Sequence, residues 1–180
     1  MSVAYLEARV FAGELSAGKM RELAAVAANF AGGYLVLTPE QNVAFFLKEG
    51  TAAEEAAAAL ASAGFGGGSP RERTTFRVCP GNHECRMGLV PTRDLALELI
   101  ASIGGKGERL SWAIAGCPNS CSQPQLADVG IVTVKITRGA GDELIPLFDL
   151  YQRQDGAAFG KVVRQGIGLE ELREIVGQLG

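Results

Sequence analysis

In the first third of the chain, segments with the hydrophobic pattern of a strand take turns with segments that have the hydrophobic spacing of a helix. Residues 3–11 are rich in β-branched and aromatic side chains, which is typical of a strand. Apolar residues then recur at helical spacing after Ser16, which predicts a helix capped by this serine and ended by a pair of glycines. After two further extended runs, Thr51 and Glu54 form a capping-box pattern that predicts the start of an alanine-rich helix. The order β-α-β-β-α indicates most of a ferredoxin-like unit.

A glycine-rich break follows this unit. The segment GFGGGSP, residues 64–70, contains four glycines and one proline and predicts a linker that acts as a hinge. Beyond the break the pattern again mixes strands and helices. The predicted elements are an extended run at 71–80, a helix capped by Thr92, a buried strand at 110–116, a hairpin of strands at 129–137 and 143–151, and a closing helix at 169–179. Residues 154–168 match neither pattern, so no element is predicted there.

These patterns predict an α+β protein with two parts. We place the first part at residues 1–66 and the second, an α/β module, at residues 71–180. The chain has 180 residues, of which 47% are hydrophobic, and this composition supplies enough apolar side chains for a core in each part. No internal repeat relates the two parts.

Charge and hydropathy narrow the classes of partner. The net charge is −3 and the sequence pI is about 5.3, so we expect neither nucleic acid nor an anionic membrane surface as a partner. No stretch approaches the roughly 18 uninterrupted apolar residues of a membrane span, and the first residues lack the pattern of a targeting segment. We therefore expect a cytoplasmic protein. In that reducing compartment, the four cysteines are better interpreted as metal ligands or catalytic groups than as disulfides.

The cysteines form two closely spaced pairs. Cys79 and Cys85 follow one predicted strand as Cys-x5-Cys, and Cys117 and Cys121 follow another as Cys-x3-Cys. Thiolates are the soft ligands that select zinc or iron–sulfur clusters. Structural zinc favours gaps of about two to four residues, so the first pair is loose for zinc. The residues therefore favour an iron–sulfur cluster, with zinc, two disulfides or four unrelated buried cysteines as the alternatives.

The segments around both pairs resemble a known family. CPGNHECRMG and GCPNSCSQPQLADVGI are similar to the cluster signature of the siroheme-dependent nitrite and sulfite reductases, in which these cysteine spacings bind a 4Fe-4S cluster. The resemblance extends upstream through GGYLVLTPEQNVAFF and downstream through FDLYQRQDGAAFGKVVRQGI. It implies a ferredoxin-like half-domain followed by an α/β siroheme and 4Fe-4S module. Large members carry this unit twice, and this chain resembles the small single-copy members.

The resemblance implies roles for individual residues. Cys79, Cys85, Cys117 and Cys121 would ligate the cluster, and Cys121 would also bridge it to the siroheme iron. Siroheme carries carboxylates, so its pocket should be rich in arginine and backbone amides. The candidate siroheme-binding residues are Arg71, Arg73, Arg77, Arg86, Arg93, Asn119 and Gln123. For any single arginine, the alternative is a solvated surface position.

Sulfite or nitrite would be the substrate implied by the resemblance. We expect Arg77 and Arg86 to bind this small anion and His83, the only histidine, to donate a proton. The alternative for His83 is a loop residue that bonds to the backbone. In the family, an arginine usually follows the Leu-Thr of the second strand, but this chain has Pro39 and Glu40 there. A carboxylate at that position would repel an anion.

The sequence thus predicts an oxidoreductase that reduces sulfite or nitrite at siroheme coupled to a 4Fe-4S cluster. A separate electron-donor protein would be its partner, because the chain has no flavin or nicotinamide motif. An electron-transfer or cofactor-carrying protein without turnover is the second interpretation, and a structural zinc module is the third. A single copy of a unit that is normally paired is compatible with a homodimer.

Overall fold

The computed structural model describes residues 4–179. The chain divides into two compact units between Arg73 and Thr74. Residue 3, with which the first predicted strand begins, lies outside the described residues. The predicted limits of the two parts, 1–66 and 71–180, stay predictions. No helix in the described part of the chain is long and apolar enough to cross a membrane.

The first unit contains a three-stranded antiparallel sheet with helices on one face. Its elements are β1 (Tyr5–Ala8), α1 (Ala17–Phe30), β2 (Val36–Leu37), β3 (Val43–Phe46), α2 (Ala53–Leu60) and the short helix α3 (Pro70–Arg73). The strand order is β1-β3-β2. The predicted order β-α-β-β-α is therefore confirmed. Side chains from both longer helices, including Leu23, Val26 and Leu60, form one core with Phe45 of β3.

The ends of these elements differ in part from the sequence prediction. Ser16 caps α1 as predicted, because its hydroxyl accepts a hydrogen bond from the Lys19 amide at 3.2 Å. The capping box at Thr51 is wrong, since α2 begins two residues later and Ala52, which has no side-chain acceptor, stands in the capping position. The first strand is shorter than predicted: it ends at Ala8, and the predicted end of the strand at Phe11 instead begins a 3-10 turn.

The second unit is built on a five-stranded mixed sheet. Its elements are β4 (Thr75–Val78), α4 (Thr92–Ile100), β5 (Ser111–Ala115), β6 (Val129–Arg138), β7 (Leu144–Gln152), β8 (Lys161–Ile167) and α5 (Leu169–Gln178). The strand order follows the sequence, with β4, β5 and β6 parallel and the last two pairs antiparallel. The carboxyl ends of β4 and β5 consequently lie at the same edge of the sheet.

The core of this unit holds the strands that lead into the cysteine loops. Trp112 of β5 is fully buried, and its indole lies parallel to the ring of Phe76 of β4 with the centroids 6.0 Å apart. The indole nitrogen donates a hydrogen bond to the carbonyl oxygen of Gly107 at 2.9 Å. Leu99 of α4 and Ile131 of β6 are also fully buried. The strands β4 and β5, which lead into the cysteine loops, are therefore anchored in the packed core of the unit.

Two predictions for this region need correction, and one strand was not predicted. The run 71–80 is not extended throughout, because its first residues form α3. Thr92 does not cap α4 but is its first helical residue, and Pro91 precedes it. Strand β8 was missed because six of its seven residues are exposed, so its sequence shows no alternation of apolar and polar side chains. The predicted hairpin and closing helix are confirmed.

Candidate metal centre

Two cysteine loops begin at the ends of neighbouring parallel strands. Cys79 directly follows β4, and Cys117 follows β5 after one glycine, Gly116. The amide of Cys79 donates to the carbonyl oxygen of Ile114 at 3.1 Å, which extends the strand pairing into the loops. The amide of Gly116 donates to Sγ of Cys79 at 3.1 Å. The first cysteine of each pair therefore lies at the same edge of the sheet.

The second cysteine of each pair lies within its loop. The amide of Cys85 donates to the carbonyl oxygen of Gly81 at 3.0 Å, across a short 3-10 turn. Cys121 follows Ser120, whose φ of 54° places it in the left-handed region. Cys117 is buried, Cys79 and Cys85 are half-buried, Cys121 is exposed, and all four are free thiols. Among residues 4–179, no three histidine, cysteine or acidic side chains are already arranged to hold a metal ion.

Residues 89–92, which we call the strap, run between the two loops and connect them. They contact the first loop at Cys79 and Asn82 and the second loop at Gly116. The three hydrogen bonds are from Leu89 N–H to the Gly116 carbonyl at 2.8 Å, from Asn82 N–H to the Val90 carbonyl at 3.0 Å and from the Thr92 hydroxyl to the Cys79 carbonyl at 2.5 Å. The strap therefore fixes one loop relative to the other.

Glycines allow the loops and the strap to approach so closely. Gly81 has φ of 59°, and a Cβ atom built there would lie 2.5 Å from the carbonyl oxygen of Val90. A Cβ atom on Gly88 would overlap the backbone of Gly81 and Asn82. Both positions exclude any larger residue unless the backbone moves.

Arg77 links strand β4 to the far end of the second loop. Its side chain is only 8% exposed, and Nη2 donates a hydrogen bond to the carbonyl oxygen of Gln123 at 3.2 Å. Gln123 has a left-handed backbone, with φ of 54°. The structure thus brings together two residues that the sequence proposed as siroheme contacts. Arg77 also supports the turn that follows Cys121, a role with no sequence signal because the two residues are 46 positions apart.

The first loop carries charged side chains that pair with its neighbours. Nη1 of Arg93 lies 3.3 Å from Oε1 of Glu84, and Nε2 of His83 lies 3.5 Å from Oδ2 of Asp94. Arg86 is exposed on the same loop. The two contacts bring the start of α4 to the loop in which Arg86 directly follows Cys85. In the second loop, the side chain of Asn119 is exposed.

Arg71, Arg73 and Glu40 belong to the first unit. The guanidinium of Arg71 lies 5.6 Å from the centre of the Phe11 ring. Arg73 donates hydrogen bonds to carbonyl oxygens of the glycine-rich segment. Glu40 is exposed in the turn between β2 and β3. The five candidate arginines therefore do not share one structural element.

At the opposite edge of the second sheet, Asp128 holds the starts of two strands together. It accepts hydrogen bonds from the amide and the hydroxyl of Ser111 at 2.8 and 2.7 Å and forms an ion pair with Arg153 at 2.6 Å. Burial raises the pKa of Asp128, but the hydrogen bonds from Ser111 and Arg153 outweigh it, and the net pKa lies below its usual value. The sequence analysis did not identify this residue.

Comparison with known proteins relates this chain to a protein family. A family model described as the nitrite/sulfite reductase ferredoxin-like half domain matches residues 2–63. The ferredoxin–nitrite reductase of Synechococcus elongatus is 29% identical over 174 residues, which cover 93% of this chain and 33% of that protein. The coenzyme F420-dependent sulfite reductase of Methanocaldococcus jannaschii is 39% identical over 72 residues, which cover 39% of this chain and 12% of that protein. The chain is therefore similar to the nitrite and sulfite reductases, and its first part matches their half-domain model.

Solved structures support the fold of this chain. The Mycobacterium tuberculosis NirA protein aligns over 97% of this chain and 34% of its own, with a TM-score of 0.74 and 21% identity. Dissimilatory sulfite reductase I aligns over 96% of this chain and 60% of its own, with a TM-score of 0.65 and 13% identity. The chain spans at most a third of the ferredoxin–nitrite reductase length that it matches. The predicted resemblance to the nitrite and sulfite reductases and the predicted α+β fold are confirmed.

Proposed function

We propose that this chain holds a 4Fe-4S cluster on Cys79, Cys85, Cys117 and Cys121. The observation that supports the proposal is the start of both cysteine loops at the ends of adjacent parallel strands. The hydrogen bond from the Gly116 amide to Sγ of Cys79 joins these two loops directly. The four free cysteine thiols are the type of ligand that an iron–sulfur cluster requires, since thiolates are its usual protein ligands. The cluster, when bound, would store and deliver electrons.

Local hydrogen bonds support the fit of the donor set. An amide that donates to a ligating sulfur stabilises the added electron, and it is one of the ways a protein sets the potential of a cluster. Here the Gly116 amide already points at Sγ of Cys79. Cys121 is exposed whereas Cys117 is buried. An exposed thiolate at this position suits a sulfur that must also reach a second cofactor, as the family resemblance implies for siroheme.

We further propose that the surface next to Cys85 binds siroheme carboxylates and the small anion. Arg86 is exposed there and directly follows Cys85, while Arg93 and His83 each lie close to an acidic side chain. The guanidinium of Arg86 suits a carboxylate or an oxyanion because it presents several N–H donors in one plane. Asn119 and Gln123 provide amide groups at the second loop. The roles of Arg71 and Arg73 stay predictions from the sequence.

His83 is proposed as the proton donor for the reduction. Its Nε2 atom lies 3.5 Å from the carboxylate of Asp94, an exposed residue. This carboxylate can accept a hydrogen bond from the imidazole and thereby orient the ring. Reduction of nitrite or sulfite consumes protons as well as electrons. The proposed proton donor therefore lies between the first two cysteines, and the proposed anion-binding Arg86 directly follows the second of them.

The reaction we propose is the reduction of sulfite or nitrite, with electrons from a separate donor protein. Several relatives are named ferredoxin–nitrite reductases, which supports a small redox protein as that donor. A homodimer and a cytoplasmic location stay predictions from the sequence.

A second candidate function is electron or cofactor carriage without turnover. It is favoured by Glu40, which is exposed where the family usually has an arginine. A carboxylate in place of a cation would weaken the binding of any anion that it faces. This candidate keeps the cluster and the cysteine roles but removes the substrate.

Absorption and turnover separate these functions. Anaerobically purified protein with siroheme should show a Soret band and long-wavelength bands, and it should oxidise a reduced viologen dye when sulfite or nitrite is added. A broad brown absorbance with no Soret band and no dye oxidation would leave only the carrier function. A colourless protein that contains zinc would contradict both.

A further inference from the structure

Thr92 contacts both cysteine loops with one side chain. Its hydroxyl donates a hydrogen bond of 2.5 Å to the carbonyl oxygen of Cys79. Its methyl group faces Gly116, because a Cβ atom built on Gly116 would lie 2.8 Å from Cγ2 of Thr92. The residue is fully buried. A single side chain therefore touches one proposed ligand and the residue just before another, Cys117.

The position of Thr92 is set by a rigid element. It is the first residue of α4, whose Leu95, Ala96 and Leu99 are buried in the core of the second unit. The strap that leads into the helix is itself bonded to both loops. The backbone of α4 therefore fixes the position of Thr92, and the hydrogen bonds of the strap keep both loops close to it.

We infer that Thr92 is a positioning residue for the cluster, an inference that rests on the proposed function. Its hydroxyl donates to the carbonyl oxygen of Cys79. The Gly116 amide donates to Sγ of the same residue instead, at 3.1 Å. Its methyl group limits how closely Gly116 approaches. Thr92 thereby sets the distance between the sulfur atoms of Cys79 and Cys117. It also preserves the hydrogen bond from the Gly116 amide to Sγ of Cys79.

Removal of the hydroxyl should affect the cluster in a defined direction. A buried carbonyl without its donor loses favourable energy, so the first loop should shift and the bond from Gly116 to Sγ should lengthen. Weaker donation to sulfur destabilises the reduced cluster, which lowers its reduction potential. A looser loop should also release iron faster.

Two substitutions divide the side chain into its two contacts. Thr92→Val keeps the shape and the methyl group but removes the hydroxyl, whereas Thr92→Ser keeps the hydroxyl and removes the methyl group. Thr137→Val is the matched control, because the hydroxyl of Thr137 also donates to a carbonyl oxygen, at 3.3 Å, within the β6–β7 hairpin. All three proteins would be reconstituted anaerobically with iron and sulfide.

The measurements are iron release to a chelator, the reduction potential and the electron paramagnetic resonance spectrum of the reduced cluster. Thr92→Val should release iron about tenfold faster or more and show a lowered potential and an altered spectrum. Thr137→Val should stay near the wild type in all three, and Thr92→Ser should show a smaller effect than Thr92→Val because it keeps the hydrogen bond to Cys79. If Thr92→Val matches the wild type, or if the serine variant fails as badly as the valine variant, the inference is wrong. A wild-type protein that takes up no iron would overturn the proposed function itself and this inference with it.

Discussion

The backbone amide of Gly116 donates a hydrogen bond to Sγ of Cys79, with 3.1 Å between the two atoms. The two residues lie 37 positions apart in sequence and meet because β4 and β5 are adjacent and parallel. The relation joins the two cysteine pairs before any ligand is considered.

Gly81 should be essential to the first cysteine loop. Gly81→Ala places a methyl group 2.5 Å from the Val90 carbonyl and forces alanine into a left-handed backbone with φ of 59°. The backbone conformation alone should lower the free energy of unfolding by roughly 1–3 kcal/mol, and the contact adds to this. Thermal or denaturant unfolding measures the effect. The control is Gly104→Ala, where a Cβ atom meets no neighbour within 4 Å, and equal stability of the two variants would contradict the account of the loop.

Arg77 should stabilise the turn after Cys121. Arg77→Ala removes the hydrogen bond from a buried guanidinium to the carbonyl oxygen of Gln123. A hydrogen bond from a charged donor contributes about 1.5–3 kcal/mol, so unfolding should require correspondingly less denaturant. Arg164→Ala is the matched control, since this exposed arginine also donates to a carbonyl oxygen, at 2.8 Å. An Arg77→Ala protein as stable as the control would remove Arg77 from this role.

Arg86 should bind an anionic group without supporting the fold. Because the side chain is exposed, Arg86→Ala should leave the free energy of unfolding unchanged. It should reduce siroheme occupancy or sulfite affinity about tenfold or more while cluster iron is retained. Cofactor absorbance and anion titration in the Soret band measure this, with the exposed Arg138→Ala as control. Full siroheme occupancy and unchanged anion affinity in Arg86→Ala would assign this residue to the solvated surface.

Asp128 should make the stability of the second unit depend on acidic pH. Its folded-state pKa lies below the usual 3.8, so its ionised form stabilises the fold above that value. This contribution is lost as the pH falls from 3.8 through the lower folded-state pKa. Asp128→Asn should therefore reduce stability at neutral pH and flatten the decline at acidic pH. Asp142→Asn, at an exposed carboxylate, should keep the wild-type pH profile; an unchanged profile in Asp128→Asn as well would contradict the prediction.

The sequence predicted those features that depend on local pattern. Ser16, the helical spacing after it and the hairpin of β6 and β7 follow local rules, and the cysteine spacing pointed to the family. The sequence could not predict that Thr92 would bond to Cys79, because a threonine before an apolar run is equally typical of a cap. The bond from Arg77 to Gln123 likewise depends on tertiary packing, and strand β8 lacks the alternation by which a half-buried strand is recognised.

The iron and acid-labile sulfide content of anaerobically reconstituted protein tests the central claim most directly. The account predicts about four iron and four sulfide per chain, with the cluster lost in Cys85→Ser and Cys117→Ser and retained in an exposed control such as Ser102→Ala. Stoichiometric zinc with no iron, or full iron content in both cysteine variants, would contradict it.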